Sequence, residues 1–244
     1  MHRLTHAQFE TTSWTLLADL QRSDEAGRHD ALAALAERYW PPVYAYYRRS
    51  GRQHQEAADL AQAFFADVVL TRRLFDGARP GQTKLRTLIL RALKNYLIDQ
   101  HRREKRRPQG VSLSGDAMHV VESHFANDDV TTVEQAFDRE WSAAIISRAM
   151  KRCEQHYRQS GRERQWQVFE AKFLGPILHS TVSRPYADLA AEFGFESAQT
   201  AATAAHSVKK RAMTFLHETV AETVENPADV ESELALIAST LGAL

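Results

Sequence analysis

Arg91, Lys94, Asn95 and Arg102 fall on one stripe of a helical repeat within residues 83–108, and Arg103, Lys105, Arg106 and Arg107 carry the charge past its end. Leu85, Leu88, Ile89, Ala92, Leu93, Tyr96 and Leu97 make the neighbouring stripe apolar. Ammonium and guanidinium groups grip phosphates, and amide or guanidinium groups pair with base edges. A helix anchored by one face and offering Arg, Lys and Asn on the other is therefore suited to holding and reading a nucleic acid. Lys84 and Arg86, at its start, join the phosphate-binding set. On charge pattern alone the competing reading is a solvated helix with a basic tail.

A second constellation lies at residues 184–211. Pro185 suits a first helical turn, Tyr186, Leu189, Ala190 and Phe193 give an apolar face, and Gly194 can take the left-handed conformation that ends a helix. Glu196 or Ser197 starts the next helix, with Ala201, Ala204, Ala205 and Val208 facing inward. Ser197, Gln199, Thr200, Thr203, His206, Lys209, Lys210 and Arg211 are left outward or flanking. The pattern is that of a helix-turn-helix, whose second helix enters the major groove. An Ala-rich helical hairpin within a bundle is the competing reading. Gln199, Thr200 and Thr203 suit base edges; Lys209, Lys210 and Arg211 suit phosphate.

The elements that must position these groups read as helices throughout, with Gly and Pro at the boundaries. A helix is predicted around 29–48, interrupted or kinked at Pro41-Pro42, with Tyr39, Trp40, Tyr44 and Tyr47 as core aromatics. The next spans Gln55 to Leu70 and buries Ala57, Leu60, Ala61, Phe64, Phe65 and Val68. A loop at 76–83 precedes the basic helix, and a polar, acidic linker at 109–131 follows it. Helicity resumes near Val133 with Phe137, Trp141 and Ile145, continues at 162–173 with Trp166, Phe169 and Phe173, and breaks at Gly175-Pro176. After the helix-turn-helix, Asn226-Pro227 starts a helix with the stripe Val230, Leu234, Ile237 and Leu241. That acidic extension either folds back on a basic face to restrain DNA binding or simply completes a core.

Formal net charge is zero over the 244 residues, but the charges are segregated. Residues 84–107 hold nine Lys and Arg against Asp99 and Glu104, while residues 218–233 hold six acids and neither Lys nor Arg. A polyanion feels local sign within a Debye length of about 10 Å, so the basic segment counts. One cysteine, Cys153, excludes an internal disulfide framework and fits a reducing compartment. With no apolar leader or long apolar run, a cytoplasmic location is expected. The histidines are scattered, without HExxH or CxxC spacing, and neither a glycine-rich phosphate loop nor a nucleophile elbow is present. Enzyme chemistry, a metal and a cofactor are not expected.

Two basic helical signatures separated by a linker resemble the extracytoplasmic-function (group IV) sigma factors of bacterial RNA polymerase, in the sigma-70 superfamily. The stretch from Glu56 to Phe64 is similar to the family's acidic helix that binds the β′ clamp helices, which implies polymerase-binding roles for Glu56, Asp59 and Gln62. Ala92 to Arg102 resembles the basic helix that melts and reads the −10 element, and Tyr186 to Arg211 is similar to region 4, which reads the −35 element and touches the β flap. Thr11 to Trp14 and Tyr39 to Tyr44 resemble one branch of the family. Family members usually carry further acids where this chain has Ala58 and Ala63. Some relatives lacking these acids are switched on by nearby phosphorylation, which makes Ser50 and Thr71 candidate phosphosites and a Ser/Thr kinase or an anti-sigma factor a candidate partner.

The expected architecture is all-α: a region 2-like domain at 1–108, the linker at 109–131, a region 4-like helix-turn-helix domain at 132–217 and a C-terminal helical extension at 218–244. Function is expected to be that of a sigma factor that binds core RNA polymerase, recognises promoter DNA and starts transcription. The competing function is a helix-turn-helix regulator with an N-terminal sensor or dimerisation domain. Asp99 is expected to orient Arg102 or Arg103, Tyr96 to be core, and the linker either to run through the polymerase cleft or to serve as a plain tether.

Overall fold

The computed structural model describes residues 25–69, 84–106, 132–176 and 182–242. The opening segment around Trp14, the loop at 76–83, Thr71 and the linker at 109–131 lie outside the described residues. Among those described the fold is all-α, as the residue pattern predicts, apart from a single antiparallel bridge between Lys84 and Val224. The helices are α1 (Glu25–Arg49), α2 (His54–Phe64), α3 (Leu85–Arg106), α4 (Val133–Gln159), α5 (Glu163–Phe169), α6 (Tyr186–Phe193), α7 (Ala198–Ala221) and α8 (Val230–Gly242).

By its contacts the chain divides into two compact units. One unit comprises residues 1–144 together with 221–244, and the other residues 145–220. The C-terminal helix thus belongs with the N-terminal unit. The reason lies in long-range bonds made by Lys84, Leu85 and Arg86, described below.

In the first unit α1 forms the spine. Ala31, Leu35, Tyr39, Val43 and Tyr47 recur every four residues and are all buried, as is Tyr46. Trp40 and Tyr44 are only half-buried. Pro41 and Pro42 lie inside α1, which runs through them without a break. A proline inside a helix removes a backbone donor and costs about 3 kcal/mol. Here buried Tyr39 and Val43 on either side hold the helix in register, and Pro42 is itself buried. Tyr39 stacks on Trp141 of α4 at 5.0 Å between ring centroids, and Trp141 stacks on Phe137 at 5.8 Å.

The second helix ends earlier than its apolar spacing suggests. After Phe64 the backbone widens into one π-helical turn at Phe65–Val69. The wider turn keeps Phe64, Phe65, Val68 and Val69 all buried, whereas Leu60 is left half-buried. Helix α4 opens on a reciprocal cap. The Gln135 backbone N–H donates to Thr132 Oγ1 at 3.1 Å, and the Thr132 N–H donates to Gln135 Oε1 at 2.7 Å. Such a box satisfies two otherwise orphaned donors.

The second unit is built around Cys153 and Tyr157 of α4, Trp166 and Phe169 of α5, Leu189 and Ala190 of α6, and Ala201, Ala205, Val208 and Ala212 of α7. The chain after α5 widens into another π-helical turn at Glu170–Leu174. Gly175 and Pro176 are the last described residues of this segment and are helical. Pro185 sits at the N-cap of α6, one position before the first helical turn. Gly194 ends α6 with φ of 69° and ψ of 40°, the left-handed conformation expected of it. Ser197 caps α7, its hydroxyl accepting from the Thr200 N–H at 3.1 Å. Small alanines at Ala190, Ala201 and Ala205 remove side-chain bulk between the two helices.

Candidate nucleic-acid interface

Helix α3 is amphipathic as its sequence requires. Leu85, Leu88, Ile89, Ala92, Leu93 and Tyr96 are buried, and Leu97 is half-buried. Arg91, Lys94, Asn95, Asp99, Arg102 and Arg103 are exposed along the other side. The buried stripe fixes the rotation of the helix, so these polar groups share one solvent-facing strip. Ile98 lies among them and is 41% exposed, an apolar surface next to the cations that the spacing did not single out. Asp99 lies 3.7 Å from Arg102, a pair too open to stabilise the fold appreciably but able to bias the guanidinium along the helix.

Tyr96 is core. Its ring packs edge-on against Phe64 at 6.0 Å, and its hydroxyl donates to Asp67 at 2.9 Å. Burial, reinforced by the Asp67 carboxylate, pushes its pKa up to about 12, so it stays a neutral donor. This bond ties α3 to the wide turn after α2.

Helix α2 brings Glu56, Asp59 and Gln62 to its exposed side. The charge there is lower than residue types alone suggest, because Arg52 pairs with Glu56 one turn away. Asp59 accepts from Gln55 at 3.1 Å. Ala58 and Ala63 add nothing to the charge. Ser50, at the end of α1, donates its hydroxyl to the Tyr46 carbonyl at 2.7 Å.

Lys84 and Arg86 do not stand with the exposed cations. Arg86 is clasped by two carboxylates: Nε donates to Glu233 at 3.1 Å and an Nη to Asp138 at 2.9 Å. Lys84 lies 3.3 Å from Asp229 and 3.4 Å from Glu233, and donates to the Ser232 hydroxyl at 2.6 Å. The Glu233 side chain is 4% exposed. Burial alone would lower the Arg86 pKa, but the two carboxylates outweigh it and raise it. For Asp138 burial raises the pKa and Arg86 opposes it only in part. The backbone seals the arrangement, with the Leu85 N–H donating to the Thr223 carbonyl at 2.9 Å. Residue types flagged the cations but not this role, since Glu233 looks like any exposed acid until the fold brings it to Arg86.

In the second unit, Ser197, Gln199, Thr200, Thr203, His206, Lys209, Lys210 and Arg211 are all exposed on or beside α7. Ser197 is committed to its capping bond, and Thr203 donates to the Gln199 carbonyl at 2.9 Å. Lys209 sits 4.9 Å over the Phe173 ring, and His206 meets that ring edge-on at 5.8 Å. Two cations escaped the periodicity argument. Lys172 lies 4.6 Å over the Tyr186 ring and donates to the Arg184 carbonyl at 2.7 Å, and Arg184 pairs with Glu192. Both flank the region before α6, where neither a helical stripe nor a motif announced them.

Residues 35–107 match the family described as Sigma-70 region 2. This segment is similar to sigma-70 region 2. The match runs from Leu35 on α1 through α2 and α3, so it covers both the acid-bearing helix and the basic strip. That similarity supports a sigma-factor role in RNA polymerase binding and promoter melting. No curated protein and no solved structure matches the chain. Among the described residues no helix is long and apolar enough to cross a membrane.

Proposed function

We propose that the chain is a group IV sigma factor that docks on core RNA polymerase through α2 and holds the melted −10 strand on α3. The observation that carries this is the strip Arg91, Lys94, Asn95 and Arg102, exposed on a helix whose other face is locked in the region 2 core. A melted strand requires phosphate contacts for position, base-edge donors for sequence and apolar surface for unstacked bases. Arg91, Lys94 and Arg103 supply the first, Asn95 and Arg102 the second, and Ile98 the third.

The helix pair α6–α7 is proposed to act as region 4. Gln199, Thr200 and Thr203 are proposed to face base edges and Lys209, Lys210 and Arg211 phosphates, with His206 between them. Glu56, Asp59 and Gln62 are proposed to meet the β′ clamp helices. Because Arg52 already offsets Glu56, added negative charge at Ser50 or Thr71 from a Ser/Thr kinase would strengthen that contact, and an anti-sigma factor is a second candidate regulator.

The test is transcription in vitro by core RNA polymerase supplied with this chain, on a library of promoters. Promoter-specific transcripts that fall away with Arg91→Ala/Lys94→Ala are expected. A chain that does not associate with core polymerase yet binds a duplex operator would instead be a helix-turn-helix regulator.

A further inference from the structure

Lys84 and Arg86 belong by sequence to the basic run of α3, yet their ligands are supplied almost entirely by the far end of the chain. Asp229, Ser232 and Glu233 surround them, with Asp138 completing the Arg86 clasp. Carboxylate and hydroxyl oxygens sit 2.6–3.4 Å from the cationic nitrogens, which is where phosphodiester oxygens would bind. The segment that delivers them carries five acids between 222 and 233 and no Lys or Arg. It is docked by the Thr223–Leu85 backbone bond and the Lys84–Val224 bridge.

The clasp has two halves of different strength. Arg86 and Glu233 form the inner half, with side chains 18% and 4% exposed. Lys84 and Asp229 form the outer half, at 24% and 29% exposed, within reach of salt and of a competing polyanion.

We propose that this acidic C-terminal segment is an intramolecular latch, which masks Lys84 and Arg86 from the DNA backbone until phosphates displace its outer half. The proposal rests on α3 being a DNA-binding helix. In the latched chain, the DNA-binding strip is confined to Arg91 and the residues beyond it. Release adds Lys84, then Arg86, and extends that strip to the start of the helix.

The test uses the full chain and a fluorescein-labelled single-stranded oligonucleotide, with anisotropy followed against NaCl. Asp229→Asn/Ser232→Ala leaves the buried Arg86–Glu233 pair in place and loosens Lys84, which keeps only its longer 3.4 Å contact with Glu233 among the contacts described above. It is expected to tighten binding about threefold and steepen the salt dependence by about 0.7 units, the contribution of one phosphate contact on a single strand. Lys84→Ala should change little in the latched parent and should abolish the gain in the released variant. Hydrogen exchange gives a readout without substitution: saturating oligonucleotide should increase exchange at residues 223–233.

Unchanged affinity in Asp229→Asn/Ser232→Ala, a gain that survives Lys84→Ala, or unaltered exchange at 223–233 in the saturated complex would each overturn the latch. If Arg91→Ala/Lys94→Ala still weakens binding in that event, the DNA-binding reading of α3 stands without it. If that pair of substitutions has no effect on binding, the DNA-binding reading fails and the latch fails with it.

Discussion

Arg86 donates to Glu233 across 147 positions of sequence, at 3.1 Å and with the carboxylate almost wholly buried. The bond joins the first turn of the basic helix to the C-terminal helix, which belongs to the same compact unit. Breaking a buried pair by removing one partner leaves an uncompensated charge, at a cost of about 3–5 kcal/mol. Asp138 still holds Arg86 when Glu233 is lost, so Glu233→Ala should fall near the lower end, about 3 kcal/mol, read by chemical denaturation. Arg86→Met/Glu233→Met should not recover that loss, because Asp138 is then left without its guanidinium partner.

Gly194 ends α6 at φ of 69°, where a side chain is strained although an added Cβ would meet only the end of Arg164 at 3.5 Å. Gly194→Ala should therefore destabilise the second unit by about 1 kcal/mol through backbone conformation alone. Gly194→Asn should cost less, since Asn tolerates the left-handed region. Equal melting temperatures for the glycine and alanine proteins would contradict this.

His156 packs edge-on against Tyr157 and lies beside Arg162 at 3.3 Å. Burial first, then Arg211 and Arg162, lower its pKa below the usual histidine value. A lowered pKa means that the unfolded chain binds the proton more readily, so the His156 contribution to stability is present above about pH 6.5 and is lost as pH falls through the folded value. The melting-temperature difference between the parent and His156→Gln should shrink as pH is lowered from about 7.5 to 5.5. A difference that is flat or grows on acidification would reverse the sign of the argument.

Arg91 and Lys94 are exposed on one side of α3, with the fold anchored elsewhere. Replacing both by Ala should leave the thermal transition within about 0.5 kcal/mol of the parent. It should reduce the salt dependence of single-strand binding by about 1.4 units, roughly 0.7 per phosphate contact. Asn95→Ala should instead relax sequence preference with little change in that slope.

The stripes of α3 were legible because both faces obey one local period, and Leu85, Leu88, Ile89, Ala92, Leu93 and Tyr96 are buried together. Gly194 and Ser197 were legible because each satisfies a local backbone need. Local rules failed at Pro41-Pro42, where helix continues through residues that ordinarily end it. In α1, packing of Tyr39 and Val43 outweighs the lost hydrogen bonds. The widened turn at Phe65–Val69 was illegible for a related reason: it exists to bury both Phe64 and Phe65, a demand made by the neighbouring helices.

By itself, the sequence determined an all-helical chain, the basic strip of α3, the acid-bearing α2 and the turn between α6 and α7. Each follows from interactions within a few residues: hydrophobic period, capping and backbone conformation. Only the tertiary structure decided that Lys84 and Arg86 are engaged by acids of the chain's own C-terminal segment. Electrostatic pairing depends on distance in space, and nothing local to Glu233 marks it as the carboxylate that Arg86 will reach.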